Sequence, residues 1–272
     1  MKRFMRNRGA VFGAAVVLLV ACAALMAPYI SMAPPDKTAL SRRLSPPQSP
    51  GYALGSDQLG RDLVSRLVWG ARVSLTVGIV SAGLALATGA GIGIVAGFYG
   101  GRVDNLLMRA IDILMGFPEI LLAIALVATL GPGLTNAMLA VAVANVPFYA
   151  RGIRGAVLLL SGGDFVEAAR AVGATDRRIM IHHLLPNIIA PMVVFLSLNI
   201  GWMITEMAGL SFIGLGAQPP TADWGTMLAD GRAFITVAAH VVTVPGLAIF
   251  VLVLALNLLG EGLREALDPR SV

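Results

Sequence analysis

The sequence predicts an all-α membrane protein with six transmembrane helices, and three observations predict it. Of 272 residues, 57% are hydrophobic and only 13% are charged, against about 25% charged in an ordinary soluble domain. The mean hydropathy is +0.82. The apolar residues gather into runs near ~20 residues, the length of helix that crosses a hydrocarbon core of about 30 Å. A water-soluble fold of this length would leave broad apolar patches exposed.

The runs fall at 10–30, 73–98, 111–131, 134–151, 188–213 and 237–260. In the first, the segment Leu19-Val20-Ala21-Cys22 has the look of a lipoprotein cleavage box. The apolar run continues past Cys22 to Ile30, however, which is longer than the ~7–15 residues of a signal h-region. An uncleaved first span is the reading favoured. Cys22 is the lone cysteine, so an intrachain disulfide and a cysteine zinc cage are both excluded. In the second run, Gly89 and Gly93 form a G-x-x-x-G pair, read as close packing within a bundle. Asn145 and Pro147 interrupt the fourth, which a membrane helix tolerates when its neighbours re-satisfy the freed backbone groups.

Lys2, Arg3, Arg6 and Arg8 precede the first span and favour a cytoplasmic N-terminus. Six crossings return the C-terminus to the same side. The outer loop then carries Lys37, Arg42, Arg43, Arg61, Arg66 and Arg72, against the simple count, although the rule weakens in a long loop. Its prolines at 34, 35, 46, 47 and 50 predict extended chain. From Asp57 to Trp69, Leu59, Leu63, Leu67 and Val68 recur at helical spacing and predict an amphipathic helix on the membrane surface. The chain therefore divides into residues 1–72 (first span, external loop, interfacial helix) and a core of five spans at 73–272.

Several chemistries lack their residues. Lys2 and Lys37 are the only lysines and neither lies in a G-x-x-x-x-G-K-[ST] pattern, so no phosphate loop is present. There is no H-E-x-x-H and no G-x-S-x-G among the residues, which removes the usual zinc-peptidase and hydrolase signatures. The net charge of +5 comes from dispersed arginines with few aromatics, unlike a nucleic-acid surface.

The most informative stretch is 161–187, the largest polar segment between predicted spans four and five. Asp164 and Glu167 have N-cap and capping-box spacing. A short helix from Phe165 to Val172 would end at Gly173 in a C′ position. A second would start near Thr175 and end before Pro186. On the first, Ala168, Ala169 and Val172 suggest a shallow apolar face that fits a groove on another protein. An ordinary amphipathic connector is the alternative. Within the spans, ionisable residues mark functional candidates. Glu206, with Asn199 and Trp202 nearby in sequence, is a candidate lining of a translocation path. It could meet a peptide amino terminus or a cation there, or instead hold helices together. Glu119 reads as helix packing, and Asn145, Asn199 and Asn257 as interhelical hydrogen bonds. The segment 210–236, with Asp223, Trp224 and Arg232, reads as an outer contact for another protein or as a re-entrant plug.

Glu167-Ala168-Ala169, then Gly173, His183 and Leu185-Pro186, resemble the EAA loop of ABC-importer permeases. Further motifs at 54–75, 100–118, 210–228 and 257–270 are similar to the C-type permease of the dipeptide, oligopeptide and nickel importers. The resemblance covers nearly the whole chain. It implies the type I ABC importer permease fold in a bacterial cytoplasmic membrane. It also implies that Glu167, Ala168, Ala169, Gly173, His183, Leu185 and Pro186 couple to an ATPase. Its further implications are a second homologous permease in a heterodimer, two ABC ATPase subunits that use ATP and Mg, and an extracytoplasmic binding protein. This chain would bind no cofactor, would lie in membrane lipid and would be no enzyme itself. Peptides are the implied cargo, with nickel complexes or another small solute as alternatives. An ion-coupled secondary transporter is the reading from another class, and it would need a midplane ion site and internal repeats.

Overall fold

A computed structural model describes residues 2–31 and 33–267. Regular structure among these residues is helical, apart from isolated bridges at Ser49–Tyr52 and Ser56–Asp62. The first long helix, α1, spans Arg8–Leu25 and is capped by Asn7, whose side chain accepts from Ala10 N. It stops at Met26, two residues before Pro28, and a short turn of helix follows at Ala27–Ile30. The predicted first span is thus broken near its end.

Helix α2, Leu63–Tyr99, is 37 residues long, or about 55 Å at 1.5 Å per residue. It absorbs both the predicted surface helix and the predicted second span. No proline separates them, and Asp62 caps the joint helix by accepting from Val64 N and Ser65 N. Residues 57–62 form a tight turn instead of helix, because the Asp57 carboxylate accepts from Leu59 N and Arg61 N.

The predicted third span is not one helix. Helix α3, Gly101–Met115, and helix α4, Glu119–Leu130, meet at 87°. Pro118 lacks an N–H and drives Phe117 out of the helical region. With 12 residues, α4 is about 18 Å long, too short to cross a bilayer alone. Helix α5, Leu134–Ser161, extends ten residues beyond the predicted fourth span and carries Pro147 within it. Helix α6, Asp164–Ala171, follows.

Helix α7 runs from Asp176 to Phe212 and overturns the expected stop before Pro186. Its first turn is capped by Thr175, which accepts from Arg178 N. Ile179–Leu184 then winds as a π-helix, in which Leu185 N bonds to Met180 O. That wider turn lets Pro186 sit in a continuous helix. In an α-turn its ring would press on the carbonyl four residues back. Helix α8, Trp224–Gly231, and helix α9, His240–Leu267, complete the chain. Four helices are long and apolar enough to span a membrane, or five if the bent pair counts as one. The difference from the six predicted lies at the broken third run and the polar-interrupted fourth. The motif residues 268–270 lie outside the described residues.

Two cores form. One gathers Ala82, Ala85, Val127, Val141, Tyr149, Met203 and Met207 from α2, α4, α5 and α7. The other joins α1, α2, α8 and α9 through Ala24, Leu63, Trp224 and Leu252. Glycines set the α2–α5 contact. A Cβ on Gly93 would lie 2.6 Å from Ala150 O, and one on Gly89 2.6 Å from Tyr149 Cβ. The G-x-x-x-G pair is therefore an intrachain packing device.

Candidate functional site

At one end of the bundle, α6 lies across the entry to α7. The expected helix and its glycine stop are present, with Gly173 at φ +82°. Gly163 occupies the N-cap without a side-chain bond, however, and Asp164 is the first helical residue. Val166 and Ala169 are buried against Ile153, Val157, Ile179 and Leu184. The Arg170 guanidinium stands 5.2 Å from the centroid of the Phe98 ring, a contact that adds to the docking.

The predicted shallow face is corrected here. Ala168 and Ala169 do not share an exposed face, because Ala169 is buried and Ala168 is exposed. Ala169 holds the helix down while Glu167, Ala168 and Val172 point outward, Val172 being 84% exposed. His183 is half-buried in the π-turn and its carbonyl accepts from Asn187 Nδ2 at 2.6 Å. Leu185 packs inward and Pro186 is exposed.

Deeper in the bundle, a polar layer joins α5 to α7. Asn145 is 1% exposed and its Nδ2 donates to Glu206 Oε2 at 2.7 Å and to Val141 O at 3.0 Å. Glu206 is 6% exposed, and its Oε1 has no partner; neither do Asn199 Nδ2 and Tyr149 Oη. Of the three asparagines read as interhelical bonds, Asn145 makes one, whereas Asn257 is exposed. Trp202 is exposed, and its Nε1 donates to Glu119 Oε2 at 3.2 Å. The pair read as separate elements thus meets across α4 and α7. Together with Ile120, Thr205 and Gly209, residues Glu119, Trp202 and Glu206 line a pocket of about 460 Å³.

Segment 210–236 is packed inward at 222–227 and mostly exposed on both sides of that stretch. Asp223 and Trp224 are buried, Asp223 capping α8 through Thr226 N and Trp224 Nε1 donating to Leu67 O at 2.9 Å. They are not available to an outside protein, whereas Arg232 is exposed over the Phe212 ring. Burial pushes the Asp223 carboxyl above its ordinary value, against the hydrogen bonds it accepts.

Sequence reading missed one cluster here. Asp57 Oδ2 pairs with Arg61 Nε at 2.6 Å and lies 3.6 Å from Arg66 Nε, while Arg61 Nη2 lies 3.5 Å from Asp230. All but Asp230 are buried. The i,i+4 spacing of Asp57 and Arg61 was the available signal. On the opposite side of the fold, Arg154 grips Asp104 through two bonds of 2.5 and 2.6 Å. Among the described residues, no cluster of three metal-ligating side chains occurs.

The family of binding-protein-dependent transport system inner membrane components matches residues 89–272, and the N-terminal TM domain of oligopeptide transport permease C matches residues 1–47. The dipeptide transport system permease protein DppC of Haemophilus influenzae is 42% identical over 272 residues, covering 98% of this chain and 92% of that protein. The glutathione transport system permease protein GsiD of Pectobacterium atrosepticum is 44% identical over 269 residues, covering 99% of this chain and 89% of that protein. Among solved structures, a chain of the MetNI methionine ABC transporter in inward-facing conformations shares the fold at a TM-score of 0.61 and 22% identity, covering 76% of this chain and 98% of that one. A multi-pass protein of the inner membrane, this chain belongs to the family of binding-protein-dependent transport system inner membrane components.

Proposed function

We propose that the chain is one of two homologous permeases forming the pathway of an ATP-driven importer of di- and oligopeptides. The single observation that carries the coupling is mechanical. Glu167, Ala168 and Val172 face outward on α6, α6 is seated on Ile179 and Leu184, and those residues open a helix that continues unbroken to Phe212. Two partner ATPases using ATP and Mg would grip this face. Their closure then moves α7 as a lever and biases one of two packings of the bundle, which alternates access to the pathway. Gly173, His183, Leu185 and Pro186 belong to the same coupling segment at 161–187. Glu206, Asn199 and Trp202 line the pathway side of α7.

The bundle crosses the membrane six times with both termini cytoplasmic, the bent α3–α4 pair and α5 supplying the third and fourth crossings. The basic residues ahead of the first span support that orientation, because the first helix usually dominates. Residues 1–72 supply the outer covering and residues 73–272 the transport core. An extracytoplasmic binding protein delivers the cargo. The relatives named for dipeptide and glutathione transport support the peptide class.

The test is reconstitution in proteoliposomes. With its partner permease, both ATPases and the binding protein, the chain imports dialanine only with ATP; alone it is inert. Glu167→Lys abolishes uptake while the protein stays in the membrane. Wild-type uptake by that variant, or gradient-driven uptake by the chain alone, overturns the proposal.

A further inference from the structure

The pocket between α4 and α7 is walled mostly by apolar surface, and the titratable groups in it are all acids. Two of its six lining residues are carboxylates, Glu119 and Glu206, and no basic side chain lines it. Glu206 enters from the buried side with one oxygen held by Asn145 and the other without a partner. An acceptor left open at 6% exposure costs stability unless something else satisfies it. Glu119 enters from the exposed side, and Trp202 lines the same pocket, fixed by its bond to Glu119. The remaining walls are Ile120, Thr205 and Gly209. Thr205 Oγ1 is already committed to Gly201 O. The pocket therefore brings two carboxylates and an aromatic ring together with no basic neighbour, the unpaired Glu206 oxygen lying closed to solvent beneath its wall, which is the chemistry that receives a cation with several N–H donors once the Glu206 side chain turns toward it. A carboxylate or a neutral amide entering the same space would meet two acids and gain no charge pairing.

We propose that Glu119 and Glu206, with Trp202 in the same pocket, form a binding site for a primary ammonium group, the free amino terminus of a peptide in transit. This deepens the importer reading and rests on it. It assigns Glu119 a role in specificity that its place in sequence concealed. It also gives a use to the Glu206 oxygen that Asn145 leaves unpaired, which a turn of the side chain would bring to cargo.

The experiment uses the complete complex. Equilibrium dialysis in detergent without the binding protein compares dialanine with N-acetyl-dialanine. Charge-assisted hydrogen bonds contribute ~1.5–3 kcal/mol, so wild type prefers the free amine by about tenfold or more. Glu206→Gln and Glu119→Gln each bring that preference toward unity. Glu119 is exposed, so its variant keeps the test alive if the buried substitution impairs folding. N-acetyl-alanyl-lysine distinguishes the source of the ammonium: weak binding supports the amino terminus, and binding as tight as dialanine overturns that assignment in favour of a side-chain amine. Equal binding of the first two probes to wild type, or an unchanged preference in both variants, overturns the site. If ATP-driven dialanine uptake by the wild-type complex persists alongside such a result, the ammonium site fails and the importer reading stands. If no ATP-driven uptake of dialanine occurs at all, the importer reading fails with it.

Discussion

Replacing Gly93 by alanine puts a methyl group where α2 and α5 run closest. A Cβ there would lie 2.6 Å from Ala150 O and 2.9 Å from Arg154 N, both backbone atoms of α5. A comfortable carbon–oxygen approach is about 3.3 Å or more, so the helices must separate by several tenths of an ångström along a tightly packed seam. Overpacking of this kind costs ~1–3 kcal/mol. Gly91, two residues away, has nothing within 4 Å of the same added atom. Both substitutions gain helix propensity of ~1 kcal/mol, and the gain cancels in their difference. At roughly 2–4 °C per kcal/mol for a chain of this size, Gly93→Ala melts ~2–12 °C below Gly91→Ala. The assay is the apparent midpoint of tryptophan fluorescence on heating the detergent-purified chain, at one scan rate because such unfolding is often irreversible. Equal midpoints, or a higher one for Gly93→Ala, refute the close seam.

Gly173 has φ +82° and open space around it, so Gly173→Val is penalised by conformation alone, at about 1–2 kcal/mol; trypsin should then cut faster at Arg177 and Arg178, with Gly173→Asn less affected. Arg61→Gln removes the closer guanidinium from the buried Asp57 carboxylate but leaves Arg66 and two backbone donors, and should cost ~1–3 kcal/mol, read as a fall in melting midpoint, which an unchanged midpoint would contradict. Asp223 has a raised folded value, so its contribution is fully present below its unfolded pKa and is lost as pH rises through the folded one. Asp223→Asn, which keeps a capping oxygen, should flatten the melting midpoint against pH on the alkaline side of pH ~4. A pH profile identical to wild type would show that this carboxyl does not carry the dependence.

The membrane class was legible because 57% apolar residues leave few other folds. Gly173 was legible too, because few residues other than glycine end a helix in that conformation. Helix boundaries were harder, for reasons that single residues make plain. Pro118 breaks a helix and Pro186 does not, and a local sequence window scores them alike. What separates them is a π-turn that forms around Ile179 and Leu184, both buried by residues from other helices. Ala169 was placed on the wrong face because it and Ala168 are identical side chains, and only packing against Ile179 and Leu184 decides which one is buried. The Glu119–Trp202 contact, 83 positions apart, depends on the 87° bend, and no local pattern announces its partner.

The π-turn at Ile179–Leu184 also sets a phase. A turn of this kind holds one more residue than an α-turn, so each side chain beyond it sits about 100° from where its number would place it in an unbroken α-helix. Removing one residue within 180–183 would leave an α-turn that completes the same rotation with one residue fewer. The surface helix would stay seated on Ile179 and Leu184, and Asn199, Trp202 and Glu206 would keep their neighbours, but the Pro186 ring would now press on a carbonyl. Removing one residue from the α-helix that follows would instead turn all three side chains by about 100°. The extra residue in the wide turn therefore makes room for Pro186 without changing which neighbours the membrane half meets.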